Sequence, residues 1–384
     1  WGEAIRVDVN QLGARFREAV LPEEERDAWI ETQNAVLCDV LMETAAQYGG
    51  DLGSFAEWTL NLGICYAKGV SRHKSHADVR EGTAPTVFWA DTVSGWGALM
   101  HAAAYFPKED QFNVAQKAWQ PRVLPYELGR ACGLASAVIT AFGGARQVFW
   151  AGLGSWDKDL NLVHAGDSRA QMRYVFDLLA GICAEAGGSR TDVVRLRCVV
   201  PSDGADALQE EVSSFWPGEV HPIVWVAERN QPFVEMQVLA VMADGGHPIT
   251  HRMVELDVPG EFIPVVHVAD ARDWEYIEAG TLVGDPWEKA SRQVEQVLGQ
   301  IDALQRKADI GPDDVCTVFA YVDTPDLGRL FDERLGEVVN PNALHLIPCL
   351  GEAGDGEPHL VAGLTARRLH LPWRFPSPDE EAEC

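Results

Sequence analysis

Midway along the chain the spacing of apolar positions changes from one regular period to another. From Gln171 onward, Met172, Val175, Phe176, Leu179, Ile182 and Cys183 recur three and four residues apart, which places them on one stripe of an amphipathic helix. Gly187 and Gly188 follow the last of these and end it. Leu196, Cys198 and Val200 then alternate with Arg195, Arg197 and Val199, the period-2 pattern of a strand with one face buried. Helix, glycine break and strand form one unit.

The same unit starts again at Gln293, with Val294, Val297, Leu298, Ile301 and Leu304 on the helix and Val318, Ala320 and Val322 on the strand. A degenerate copy starts at Gln33, with Leu37, Leu41 and Ala45 followed by Trp58, Leu60 and Leu62. Each copy continues with a proline-led strand (APTVFWAD, HPIVWVAE, NPNALHLIP) and a final apolar strand over 98–105, 233–240 or 359–366. Hairpins are predicted ahead of the helices over 5–20, 146–163 and 262–283. Self-similarity on this scale predicts an array of like modules. Each module then reads as hairpin, helix, strand, short helix or loop, strand and strand, an α+β plan. The expected boundaries are 1–110, 120–243 and 250–370, with an acidic, proline-containing tail over 371–384.

Composition narrows the partners. With 384 residues the chain has room for two to three domains, and 31 Lys+Arg against 58 Asp+Glu give a net charge of −27. Such a surface repels phosphate backbones and anionic lipid, so neither nucleic acid nor membrane is the expected partner. No apolar run reaches the roughly 20 residues of a membrane span, and the opening WGEAIRVDV lacks the plan of a signal peptide. The 8 cysteines are scattered without a close pair, which predicts reduced thiols in a cytoplasm and no zinc site. His73 and His76 have no third ligand nearby, so no metal is expected. The dinucleotide, P-loop, hydrolase-elbow and zincin motifs are absent.

The middle copy, QVFWAGLGSWDKDLNLVHAGDSRAQMRYVFDLLAGICAEAGGSRTDVVRLRCVV followed by SSFWPGEVHPIVWVAERNQPFVEMQVLAVMA, resembles the RidA (YjgF/YER057c/UK114) family of enamine/imine deaminases. The resemblance spans 146–241 well and 262–367 fairly, and reaches 3–106 through the repeat. It implies an α+β fold of chorismate mutase-like modules, each a mixed β-sheet with two helices. The family forms homotrimers with a central barrel and clefts between subunits, so three modules in one chain imply a monomeric intramolecular pseudotrimer. Chorismatases, with fused RidA-like units, are a distant relative of this kind. Cofactor independence is also implied.

Departures from the family pattern shape the chemistry. The arginine of its Pro-x-Arg strand, which holds a substrate carboxylate, is replaced by Val87, Val224 and Ala343. Its Ser-Gly-Gln triplet becomes Ala151-Gly152-Leu153, and Ala269-Asp270-Ala271 in the third copy. At its acidic pair stand Glu235 and Gln237, Leu99 and His101, and Val361 and Gly363.

Glu235 and His101 are therefore the catalytic candidates. A carboxylate beside a cleft with a raised pKa can orient or deprotonate water, and a neutral imidazole among apolar residues can act near neutral pH; an exposed strand acid and a structural histidine are the alternatives. Arg72 and His73 lie in KGVSRHKSHADVR, whose cations would serve an anionic ligand in place of the missing arginine, or simply form a solvated loop. Arg146, Trp156, Asp270 and His345 complete the substrate-binding candidates. The expected function is that of a divergent RidA-like enzyme of secondary metabolism, a hydrolase or deaminase converting a small-molecule imine, enamine or related intermediate by general acid/base hydrolysis without cofactor. The alternatives are a chorismatase-like activity on a cyclic enol-ether acid, and a non-catalytic ligand-binding or scaffold protein.

Overall fold

The computed structural model describes residues 4–15, 39–50, 55–62, 85–89, 96–107, 122–124 and 137–142, and all of 144–370 except 156, 158–160, 203, 230–231, 245, 259–263 and 349–357. For the strands before residue 144 it describes the path of the backbone. The fold is α+β, with mixed sheets and helices packed on them.

Among the described residues three sheets follow one another along the chain. Sheet one holds β1 (Ala4–Arg15), β2 (Phe55–Leu62), β3 (Pro85–Trp89) and β4 (Trp96–Pro107) in the order β1-β4-β2-β3. Sheet two has the order β5-β6-β7-β10-β8-β9, from β5 (Arg122–Leu124), β6 (Ala137–Phe142), β7 (Ala145–Gly154), β8 (Val193–Pro201), β9 (Ile223–Arg229) and β10 (Glu235–Ala243). Sheet three has the order β11-β12-β13-β16-β14-β15, from β11 (Thr250–Glu255), β12 (Val265–Asp270), β13 (Trp274–Val283), β14 (Val315–Val322), β15 (Leu344–Pro348) and β16 (Leu360–Leu369). Setting aside the antiparallel strands added at one edge of sheets two and three, the same four-strand order occurs three times.

The pairs β2/β3, β8/β9 and β14/β15 are parallel, so each needs a crossover between its strands. In sheet two α3 (Ala205–Phe215) makes it, and in sheet three α5 (Pro325–Leu335). The longer helices, α2 (Ser168–Glu185) and α4 (Ala290–Ala308), come earlier in their modules. Residues 39–47 are helical in the first (α1). The middle hairpin is formed by β6 and β7, not by 146–163: β7 is a single strand, and the turn before it runs through Gly144 at φ 80°, where glycine escapes the Cβ clash. The alternating run 137–142 lay just upstream of the segment read as a hairpin.

Alternation along the strands separates two environments. On one side Val148, Trp150, Leu196, Cys198 and Val238 pack against Met172, Val175, Phe176 and Leu179 of α2. Ile277, Ala279, Val318, Ala320 and Leu364 pack likewise against Val294, Val297, Ile301 and Leu304 of α4. On the side away from the helices, Phe149, Leu239 and Val241 of sheet two meet Ala269, Trp274 and Tyr276 of sheet three in a further core. Strand β9 lies alongside β13, β15 alongside β1, and β3 alongside β7.

The leading glutamines of the repeat are structural ties. Buried Gln171 accepts from the Val234 amide (2.9 Å) and donates to the Pro232 carbonyl (2.9 Å). Buried Gln293 accepts from the His359 amide (2.9 Å) and donates to the Glu288 carbonyl (3.0 Å). Each fastens the start of a long helix to the approach of the last strand. Among the described residues no helix is long and apolar enough to cross a membrane.

Candidate functional site

The same irregularity occurs in all three sheets. Pairing of β1 with β4 skips from Val9/Ala102 to Leu12/Met100, so two residues oppose His101. Pairing of β7 with β10 skips from Trp150/Val238 to Leu153/Met236, so Ala151 and Gly152 oppose Gln237. Pairing of β13 with β16 skips from Ala279/Leu364 to Leu282/Ala362, so Gly280 and Thr281 oppose Gly363. A bulge of this kind adds a residue, bends the strand and re-aims its neighbours, which is why bulges gather beside binding sites.

These registers correct three alignments of the copies; in the first copy, Pro85 opposite Trp58, not Val87, stands where Val224 stands opposite Leu196. The third-copy counterpart of Ala151-Gly152-Leu153 is Gly280-Thr281-Leu282, not Ala269-Asp270-Ala271. Val224 pairs with Leu196 as Leu344 pairs with Val318, so Leu344 rather than Ala343 occupies the Pro-x-Arg position; Pro341–Ala343 is a 3-10 turn before the strand. The replacement is again not an arginine.

Between sheets two and three the bulge region is filled on its inner side. A Cβ on Gly363 would lie 1.7 Å from Trp225, and one on Gly280 would lie 2.1 Å from Ile223. These two glycines let β9 press its large side chains onto β13 and β16. Deeper in the same face, Arg195 and Glu278 are each 1% exposed and 3.5 Å apart, and Glu278 also accepts from the hydroxyls of Tyr276 (2.6 Å) and Thr365 (2.9 Å). Arg197 stacks 3.7 Å over the Phe319 ring, and Arg367 donates to Gln147 (2.6 Å). A buried charge is tolerated when it is paired, and here Arg195 of sheet two meets Glu278 of sheet three.

On the outer side of this seam lies a cleft of about 600 Å³. Its walls include Trp216, Pro217, Pro222, Val224, Pro264 and Val265, and its polar groups are Gln209, Ser213, His221 and Thr281. His221 is the one titratable side chain among the described lining residues. Thr281 has φ 57°, a strained value for a β-branched residue. The His221 carbonyl accepts from Nδ1 of fully buried His267 (2.9 Å), which leaves the His267 Nε2 to accept from His251 Nδ1 (3.0 Å). His251 Nε2 lies 3.5 Å from Asp192. Burial holds the His267 pKa down at about 3, so this ring is neutral; Asp192 is held below the usual carboxylate range, its burial outweighed by the His251 and Ser189 hydrogen bonds.

Glu235 stands elsewhere, at the start of β10, opposite Gly154 on β7 and Val199 on β8. Part of its surface reaches solvent, yet it is closely surrounded, and burial pushes its carboxyl up to about 7. β7 is the strand alongside which β3 of sheet one runs. The matching position in sheet three is Val361, which opposes Tyr321 as Glu235 opposes Val199.

The other sequence candidates scatter. Arg146 donates to the carbonyls of Ala243 (3.0 Å) and Ala186 (2.8 Å) and so ties the end of α2 to β10. Asp270 ends β12 and pairs with His370 (2.8 Å), away from the cleft lining. His345 is fully buried on β15 with its ring against Phe319. His101 lies on β4 opposite Thr59, at the position of Gln237 and Gly363. Arg72, His73 and Trp156 lie outside the described residues. Trp225 is one of several tryptophans that the sequence places in cleft-lining regions, whereas nothing in it marked His221 or Thr281; the glycines at 280 and 363 were the available signal, because glycine inside a strand marks a bulge or a close approach. Among the described residues Cys183, Cys198 and Cys316 form no disulfide, and burial pushes the Cys183 thiol up to about 12.

No family model matches the sequence. Among solved structures the chain is similar in fold to a chorismatase, at 10% identity over 95% of this chain and 98% of that one, with a TM-score of 0.48. It is similar over a smaller part to RidA from an Antarctic Psychrobacter (23% identity, 29% of this chain and 87% of that one, TM-score 0.23). A member of the YjgF/YER057c/UK114 family from Mycobacterium tuberculosis matches at 22% identity over 32% of this chain and 98% of that one, with a TM-score of 0.25.

Proposed function

We propose that the chain is an intramolecular pseudotrimer of three RidA-like modules, over 1–110, 120–243 and 250–370, that hydrolyses a small-molecule imine, enamine or related intermediate without a cofactor. The recurring strand order, the bulge at one position in every sheet, and the cyclic neighbours β3/β7, β9/β13 and β15/β1 support the modular part of this reading. The acidic composition and scattered cysteines support a cytoplasmic protein.

Glu235 carries the catalytic part. With a pKa of about 7 its carboxyl exists in both protonation states near neutrality, the condition under which one group serves as acid and as base. The protonated form would donate to the imine nitrogen, or to the enamine carbon. The carboxylate would take a proton from the water that adds to the C=N carbon. Proton return to nitrogen then expels ammonia while the carboxylate so formed takes the hydroxyl proton, leaving the carbonyl compound, so that imine and water become ketone or aldehyde and ammonia.

The test is the decay of imines generated in situ, followed by ammonia release, for the native protein and Glu235→Gln. Catalysis that falls by about 100-fold or more in the variant, with kcat/KM inflecting near pH 7 in the native protein, supports the proposal. Native protein that leaves the decay rate at its buffer value overturns it. The filled inner side of the seam between sheets two and three favours a structural role for that seam, and an inactive native protein would extend that role to the whole molecule.

A further inference from the structure

The cleft between sheets two and three is independent of Glu235, and its lining has a consistent chemistry. We infer that it binds an uncharged, flat small molecule bearing an amide or lactam group. Its volume of about 600 Å³ falls within the roughly 300–1,000 Å³ of small-molecule sites. Trp216, Pro222 and Pro264 give it stiff apolar walls. The Trp216 indole N–H is already spent on the Arg190 carbonyl (2.7 Å), so a ligand meets the apolar part of the ring.

The polar groups suit a neutral partner with one donor and one acceptor. The His221 Nδ1 lies 3.1 Å from the Pro222 carbonyl; an oxygen there can only accept, so Nδ1 carries the proton and Nε2 remains an acceptor. A ligand N–H would donate to it. Gln209 and Thr281 supply donors for a ligand carbonyl. The anchor is rigid, because buried His267 pins the His221 carbonyl and is backed by His251 and Asp192.

An anion is disfavoured twice over. None of the described lining residues is a lysine or arginine, so a carboxylate would lose its hydration without a cation in return. The net charge of −27 adds a repulsive field.

Calorimetric titration of the full chain at pH 7.5 with 2-naphthamide and 2-naphthoate, which share a shape and differ in charge, tests this. The amide should bind at least about tenfold more tightly than the acid, and His221→Phe should weaken the amide by about tenfold. Val224→Arg should reverse the preference. Ser213→Trp, at an exposed position of α3 that lines the cleft, should abolish amide binding with the thermal melt unchanged, which secures the test should the arginine variant fail to fold. Glu235→Gln should leave amide binding unchanged, so loss of hydrolysis and loss of binding are separable. Equal or tighter binding of the acid by the native protein, or no binding of the amide at 1 mM, would overturn the inference.

Discussion

Sheets two and three are built alike on the side that faces their helices and differently on the side that faces each other. Toward the helices both present small and branched apolar residues to a stripe of the same spacing. On the inner side Arg195 and Arg197 stand where sheet three has Thr317 and Phe319, Phe149 where it has Glu278, and Gln237 where it has Gly363. These differences are matched across the seam: Arg195 meets Glu278, Arg197 meets Phe319, and Gly363 receives Trp225. A helix side is answerable to its own module, whereas an inner face needs only to suit the module opposite. Because both sheets belong to one chain, their two inner faces can differ as a complementary pair.

The largest expected effect comes from breaking that pairing at its most buried point. Glu278→Ala strands Arg195 without its carboxylate and should cost about 3–5 kcal/mol, read as a lower urea midpoint; replacing both residues with methionine should recover most of the loss. A pH effect follows from Glu235. Its folded pKa of about 7 exceeds the ordinary 4.5, so between those values the folded state holds more protons and stability falls as pH rises. Glu235→Gln should remove this slope, leaving the variant more stable by on the order of 3 kcal/mol at pH 8 and level with the native protein near pH 4. Gly363→Ala drives a methyl into Trp225 and should cost about 1–3 kcal/mol, partly recovered by Trp225→Phe. The helix side offers the smallest contrast. Asp167 caps α2 by accepting from the Ala170 amide, whereas Lys289 at the start of α4 makes no such bond. Asp167→Ala should cost about 1 kcal/mol and Lys289→Asp should gain a similar amount, both read from thermal melts.

Much of the helix side was legible in the sequence. The stripes from Met172 and Val294, and the strands through Leu196 and Val318, follow directly from period, because burial against one helix leaves a regular trace. The inner side leaves none. Arg195 and Glu278 are far apart in the chain, and nothing in the spacing of either foretells the other. Bulges mislead in a further way: period 2 gives the phase of a strand but not its count, so the insertion at Gly280-Thr281 went unseen and the triplet was assigned to 269–271. The acid at Glu235 was found because it stands at the acidic pair of the pattern that the middle copy resembles. His221 was not, because a polar residue just before a strand looks like any loop.

Strands β15 and β1, which run side by side, come from opposite ends of the described chain. A ribosome releases β1 first and β15 only after almost all the rest, which at usual rates of synthesis is a delay on the order of tens of seconds. For that interval the first module has its neighbour on one flank and bare strand on the other. Protection of nascent β1 is therefore a requirement of this chain order, and a permuted gene that opened the chain between sheets one and two would transfer the same exposure to β3 and β7.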